Sequence, residues 1–121
     1  MAEIPPQAQQ MIVALQNAQQ QLQAFAMQKQ AFVLQRHETE RAIDELERTG
    51  EKDDVYRVSG PIMIRSTKQK LLEDLKARIE KMDASVKRIT EMEKKTAERA
   101  QETQVKLERL FSQPQAKGAA G

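Results

Sequence analysis

The segment Val-Tyr-Arg-Val-Ser-Gly-Pro-Ile-Met-Ile-Arg, residues 55–65, lies at the centre of the 121-residue chain. Two short runs rich in β-branched and apolar residues flank the pair Ser59-Gly60, and this pattern is typical of two strands joined by a tight turn. No other glycine in the chain lies between two such runs. The sequence therefore predicts one β-hairpin, over residues 54–65, with Ser59 and Gly60 as its turn.

The predicted hairpin needs further strands to be stable. Its turn would pair Val55 with Ile64 and Asp54 with Arg65 across the strands. A two-stranded ribbon is marginal in water and has two open edges, and both faces of this one are apolar. We therefore expect hairpins of several subunits to pair with one another; the alternative is that the hairpin packs only on the helix ends of its own chain. The residues expected to form the subunit contact are Val55, Tyr56, Val58, Gly60, Pro61, Ile62, Met63 and Ile64.

Two hydrophobic ladders of equal length run outward from the hairpin, each with alternating steps of three and four residues. This spacing is that of a coiled-coil seam. If the chain folds back at the hairpin, position 46 meets 72 and position 8 meets 110, so the ladders match step for step. We expect a mainly α fold, a long antiparallel two-helix coiled coil with a central β-hairpin. The ladder positions are 8, 11, 15, 18, 22, 25, 29, 32, 36, 39, 43 and 46 in the first half, and 72, 75, 79, 82, 86, 89, 93, 96, 100, 103, 107 and 110 in the second.

Capping residues set the expected helix boundaries. Gly50 suits a left-handed cap at the end of helix one, which is predicted over about residues 7–49. Ser66 followed by Gln69 is a capping box, which would open helix two over about residues 67–111. The last residues, 112–121, offer nothing to bury, and we expect them to be disordered.

Some ladder positions are polar. Folding the chain back places Arg36 opposite Met82, a partner without charge. Because a long charged side chain can reach out of an apolar seam into water, such positions indicate local looseness without requiring a functional role.

The free ends of the two helices are apolar again. Only two helices would be present there to cover these side chains, so they are expected to stay partly exposed, and exposed apolar surface often marks a binding site. The alternative is an ordinary seam that closes off the coil. These helix-end residues are Ile4, Met11, Ile12, Leu15, Leu107, Leu110 and Phe111.

Composition argues against an enzyme. Three Phe, one Tyr and no Trp are too few bulky residues for a core that could hold a pocket, so paired carboxylates would stay solvated. The sole histidine, His37, lies between Arg36 and Glu38 and is expected on the surface. There is no glycine-rich phosphate loop and no cysteine, so neither a cofactor nor a metal is predicted.

The charge pattern and the N-terminus bear on location. The net charge is only +2 and both signs alternate along the chain, which is a poor electrostatic match to nucleic acid. No apolar run approaches the length of a membrane span, and MAEIPPQAQQ does not resemble a signal peptide. We therefore expect a soluble, cytoplasmic protein that binds neither nucleic acid nor membrane.

The central motif also resembles that of a known family. Val55-Tyr56-Arg57, two residues, then Gly60-Pro61-Ile62-Met63-Ile64, between long heptad helices of equal length, is similar to the beta-type subunit of prefoldin. The Gln-rich run at residues 19–23 is similar to that family as well. The resemblance extends from about Gln7 to Phe111, so residues 1–121 are expected to form a single prefoldin-like domain. A single hairpin is typical of the beta type, whereas the alpha type has two.

The resemblance implies a partner set and a function. It implies a hexamer of two alpha and four beta subunits, in which the hairpins build a β-barrel platform and the coiled coils project from it. The tips of the coils would hold unfolded client proteins and pass them to a group II chaperonin without nucleotide hydrolysis. In this chain the helix-end residues would then contact the client.

Two other classes of protein remain as alternatives. A scaffold coiled-coil protein without client binding would have no need of a central hairpin, and helices continuous through residues 50–65 would favour it. A nucleic-acid-binding coil would need its basic residues on one face. Lys87, Arg88, Lys94, Lys95 and Arg99 are the only candidates, and interspersed glutamates dilute them.

Overall fold

The computed structural model describes residues 4–112. Helix α1 spans Pro6–Glu47, strand β1 Val55–Ser59, strand β2 Ile62–Ser66 and helix α2 Lys68–Ser112. The predicted fold class, two long helices around a central hairpin, is confirmed. Of the tail predicted to be disordered, Ser112 is the last residue of α2, and residues 113–121 lie outside the described part.

The chain forms two compact units. The hairpin unit is Gln28–Ile89 and contains both strands with the helical segments next to them. The terminal unit combines the residues up to Met27 with those from Thr90 onward, so the beginning of α1 and the end of α2 belong together. In each unit, helical residues far apart in sequence form one folded body, as the matching ladders predict.

Burial follows the two ladders in both units. Every ladder position is buried or half-buried, whereas most other helical positions are exposed. Two helices can cover only a narrow stripe of each other, which is why the apolar residues lie along a seam and not in a globular core. The buried residues are Ile43, Leu46, Val55, Met82 and Ile89 in the hairpin unit, and Ala8 and Leu107 in the terminal unit.

The hairpin turn lies one residue later than predicted. Gly60 and Pro61 form it, Ser59 pairs with Ile62, and Val55 pairs with Ser66, so the expected pairing of Val55 with Ile64 is wrong by two residues. Gly60 has φ +57°, whereas the ring of Pro61 fixes a negative φ, and this combination is that of a type II′ hairpin turn. Proline suits the second turn position because it has no backbone N–H, and at this position none is needed for a hydrogen bond between the strands.

This shift preserves the predicted faces. Side chains alternate with a period of two, so a register change of two residues moves none of them to the other side. Asp54 and Arg65, predicted to lie directly opposite each other, are diagonal neighbours and still form an ion pair with an oxygen–nitrogen distance of 2.5 Å.

The end of α1 is capped by side chains and not by a left-handed glycine. Gly50 does not have a positive φ, so that prediction is wrong. Instead the Thr49 hydroxyl donates to the carbonyl oxygen of Leu46 at 2.6 Å, and the Lys68 ammonium donates to the carbonyl oxygens of Glu47 at 3.1 Å and Thr49 at 2.8 Å. The negative end of the helix dipole also stabilises a cation at this position. Lys68 thereby joins the start of α2 to the end of α1.

Helix α2 begins at Lys68, one residue later than predicted, and its cap lies one residue later as well. Ser66 is still part of β2, where it pairs with Val55. Thr67 caps the helix instead, since its hydroxyl oxygen accepts a hydrogen bond from the backbone N–H of Lys70 at 3.2 Å.

Arg36 has a charged partner that the fold-back arithmetic missed. Its Nε and Nη2 donate to the two carboxylate oxygens of Asp83 at 2.8 and 3.2 Å, and its Nη1 lies 3.0 Å from Glu40. Arg36 therefore forms a bidentate ion pair with Asp83 of the other helix, and its side chain does not simply extend into water. The hydrogen bond and charge of Asp83 raise the pKa of Arg36, and the hydrogen bond from Arg36 lowers the pKa of Asp83.

Candidate functional site

The first candidate surface is the hairpin itself. Of the residues predicted for subunit contact, Val55 alone is buried; the others are exposed, including Val58 at 69% and Met63 at 66%. Within residues 4–112 the sheet has only two strands, so the outer edge of each lacks a partner strand. The alternative, that the hairpin packs only on the helix ends of its own chain, would leave all of these residues except Val55 exposed.

An open groove of about 810 Å³ lies beside the hairpin, and sequence reasoning did not find it. Leu46 of α1 and Leu71 and Leu75 of α2 contribute its apolar lining, and Tyr56 and Val58 of β1 border it. Leu71 was the available signal, because it directly precedes the ladder position Leu72 and broadens the apolar stripe. The groove thus joins the strand to both helices, with charged side chains as well as apolar ones in its lining.

The second candidate surface is in the terminal unit, which contains all seven helix-end residues. Ile4 is 46% exposed and Phe111 56%, whereas Leu107 is buried. Met11, Ile12, Leu15 and Leu110 are half-buried. The unit thus has a closed seam with apolar side chains exposed beside it, and contact of these side chains with a client stays a prediction.

Two shallow depressions mark this second surface. One of about 420 Å³ is lined by Leu107 and Phe111 with Gln104, Glu108 and Ser112. The other, of about 400 Å³, is lined by Pro6, Gln9, Gln10 and Val13. Sequence reasoning missed Val13, although it follows Ile12 directly and is 52% exposed.

Comparison with known proteins decides the family. Residues 9–114 match the family model described as prefoldin subunit. The chain belongs to the prefoldin family. Prefoldin subunit beta of Archaeoglobus fulgidus is 36% identical over 116 residues, which cover 96% of this chain and 99% of that protein. Prefoldin subunit beta of Methanococcoides burtonii is 37% identical over 110 residues, 91% of this chain and 94% of that protein.

A solved structure supports the same assignment. The crystal structure of the prefoldin beta subunit from Thermococcus strain KS-1 matches with a TM-score of 0.81 at 33% identity, and the match covers 94% of this chain and 100% of that one. This prefoldin chain is therefore similar to beta-type subunits in sequence and in fold, as its central motif indicated. Membership makes it a component of a chaperone that is built from several subunits.

Between residues 4 and 112 no group of three His, Cys, Asp or Glu side chains is placed to hold a metal ion. In the same range no helix is both long enough and apolar enough to cross a membrane. His37 is exposed on α1.

Proposed function

We propose that this chain is the beta-type subunit of a cytoplasmic, ATP-independent holdase. Four copies would assemble with two alpha-type subunits through their hairpins. The helix-end residues would capture non-native proteins, which the complex passes to a group II chaperonin. The observation that carries the proposal is a two-stranded hairpin whose outer edges pair with no other strand of residues 4–112 and whose two faces both expose apolar residues.

Assembly follows from the physics of the hairpin. Each outer edge presents backbone N–H and C=O groups that another strand can pair with. Val58 and Met63 pair directly and lie on the same face, so a neighbouring hairpin that covered this face would remove both side chains from water. Burial of one such side chain is worth about 1.5–3 kcal/mol, which makes an isolated hairpin the less stable state.

Client capture is supported by the terminal unit. Ile4 and Phe111 are exposed there although the neighbouring seam is closed. A non-native protein exposes apolar segments that a native protein buries, so an exposed apolar surface distinguishes the two. Binding of this kind needs no nucleotide, and its strength depends on the apolar area covered.

The scaffold alternative is weaker. It would be favoured by helices continuous through residues 50–65, but α1 ends at Glu47 and α2 begins at Lys68, with the hairpin between them. A scaffold would also gain nothing from exposed apolar side chains in the terminal unit.

Assembly is tested by mixing the chain with candidate two-hairpin partners and measuring mass by light scattering. The expected product is a discrete hexamer. The variant Val58→Ser/Met63→Ser should fail to form it, whereas the matched variant Val13→Ser/Met27→Ser, also at exposed apolar residues, should assemble normally. A wild-type chain that stays monomeric with every partner contradicts the proposal.

Client capture is tested on the assembled complex. The variant Ile4→Ser/Phe111→Ser should assemble but lose most of its suppression of client aggregation. Ala97→Ser/Gln101→Ser, at exposed positions of α2 in the same unit, is the control and should behave as wild type. Removal of residues 1–12 and 107–121 should abolish suppression. If suppression survives these changes, the clients bind elsewhere.

A further inference from the structure

The two helices of the terminal unit differ sharply in charge. From Ile4 to Met27 the chain has no charged residue, and its polar side chains are almost all glutamines. The α2 segment from Thr90 onward carries Asp/Glu or Lys/Arg at most outward positions. In a two-helix coil both outer surfaces are in contact with water, so this difference does not come from packing.

The uncharged helix has a distinct outer face. Pro6, Val13, Gln20 and Met27 are spaced by seven residues and lie farthest from the seam, and all four are exposed. We call these residues the neutral face. Val13 is 52% exposed and Met27 72%. The position of a heptad that is most remote from the seam is normally polar or charged, and here two of its four residues, Val13 and Met27, are large and apolar.

Glutamines surround the neutral face. A depression of about 530 Å³ is lined by Gln16, Gln19, Gln20 and Gln23 together with Leu22. The depression at Gln9, Gln10 and Val13 lies on the same helix. Each carboxamide both donates and accepts hydrogen bonds, so this surface can pair with backbone N–H and C=O groups without favouring either charge.

The chemistry of the neutral face restricts what it can bind. A charged partner surface would lose hydration against it and gain no counter-charge. A partner helix would need apolar residues at alternating steps of three and four, but Gln10, Asn17 and Gln20 interrupt that pattern. An extended, uncharged chain segment fits, because its side chains can contact Val13 and Met27 while its free backbone groups pair with glutamines.

We propose that the neutral face of α1 binds uncharged, apolar stretches of non-native proteins in extended form. This inference rests on the proposed holdase function and enlarges its client surface from the helix-end residues to the side of α1. Ile12 connects the two, since it is one of the helix-end residues and neighbours Val13. Met27 adds an adaptable side chain that can contact many different sequences.

The test uses the fully assembled complex and dye-labelled lysozyme whose disulfides have been reduced and blocked, so that it cannot refold. Val13→Glu/Met27→Glu and Val13→Lys/Met27→Lys should each weaken binding about tenfold, equal to about 1.4 kcal/mol, as measured by fluorescence anisotropy. Both signs of charge should weaken it, because the lost contact is apolar. Ala97→Glu/Gln101→Glu and Ala97→Lys/Gln101→Lys on α2 are the matched controls and should change the affinity less than twofold.

Opposite effects of Glu and Lys would show that bulk charge governs binding and would overturn the inference. Unchanged binding in both variants, with loss in Ile4→Ser/Phe111→Ser, would also overturn it while leaving the holdase function intact. A wild-type complex that does not bind the lysozyme chain would remove the proposed function and the inference together. A photo-reactive side chain at Met27 should cross-link to lysozyme; cross-linking to another subunit instead would identify a subunit contact and contradict client binding.

Discussion

Replacing Gly60 by alanine tests the hairpin turn at its most constrained position. Gly60 has φ +57°, and a Cβ atom added there meets nothing within 4 Å, so the effect of Gly60→Ala is one of backbone conformation alone. An L-residue held in this conformation is disfavoured by about 1–3 kcal/mol. Gly60→Ala should therefore lower the free energy of unfolding by about 1–3 kcal/mol.

Gly50→Ala is the matched control. Gly50 lacks a positive φ, and the added Cβ would lie 3.3 Å from Asp53 Oδ2, the end of a short side chain. We expect Gly50→Ala to change the free energy of unfolding by no more than about 0.5 kcal/mol. Alanine lowers the conformational entropy of the unfolded chain, and this stabilisation offsets the close contact with Asp53.

Urea unfolding measures both variants. Circular dichroism follows the helices, and intrinsic fluorescence follows the hairpin, because Tyr56 in β1 is the only tyrosine and the chain has no tryptophan. The fluorescence transition of Gly60→Ala should shift to lower urea. Equal midpoints for Gly60→Ala and wild type, or equal shifts for the two glycine variants, would refute the assignment of strain to Gly60.

Three further predictions concern the hairpin unit. Ile89 is 7% exposed in the seam, and Ile89→Ala should lower the free energy of unfolding by about 2–4 kcal/mol. The control Met92→Ala, at an exposed residue, should lower it by less than about 1 kcal/mol. Similar urea midpoints for the two variants would contradict the burial of Ile89 in the seam. Lys68→Met should destabilise by about 1 kcal/mol through loss of the bonds that cap α1, seen as a lower melting temperature; no change would mean that water replaces the ammonium. Because Arg36 lowers the pKa of Asp83 below its ordinary 3.8, the ion pair stabilises fully above about pH 5 and is lost as pH falls through the lower folded pKa. Asp83→Asn should thus be less stable than wild type at pH 7 and approach it at pH 2; a pH-independent difference would contradict this.

The fold was predictable because it depends on periodicity. Alternating steps of three and four place one stripe on each helix, and the structure buries or half-buries every ladder position. Equal ladder lengths then required the chain to fold back at its centre. The hairpin was predictable for a related reason, since Gly60 is the sole glycine between two apolar runs.

Details that depend on single hydrogen bonds were not predictable from the pattern. The turn was placed one residue too early because Ser59-Gly60 and Gly60-Pro61 are both plausible turn pairs, and both registers give the same faces. The pattern predicts Ser66 as the cap of α2, but Ser66 pairs with Val55 and therefore belongs to β2. Gly50 was expected to be left-handed, but Thr49 and Lys68 already satisfy the helix carbonyls.

The candidate surfaces divide in the same way. Exposed apolar residues on the hairpin followed from alternation, but the groove beside it depends on how α1, β1 and α2 approach one another. Pairing the two helices position by position considers only the residue directly opposite Arg36, which is Met82. The ion pair with Asp83 escapes this procedure because an arginine side chain is long enough to reach the neighbouring residue on the other helix.

The charge-free beginning of α1 affects which reagents can report on it. Trypsin has no site before Lys29, so digestion would release the first 29 residues as a single peptide while it cuts the end of α2 at many places. Amine- and carboxylate-directed labels would likewise find no reactive side chain on α1 in the terminal unit, whereas α2 offers several. Footprints collected with such reagents would overlook a molecule bound along α1, and photochemical or methionine-directed labelling would be needed to see it.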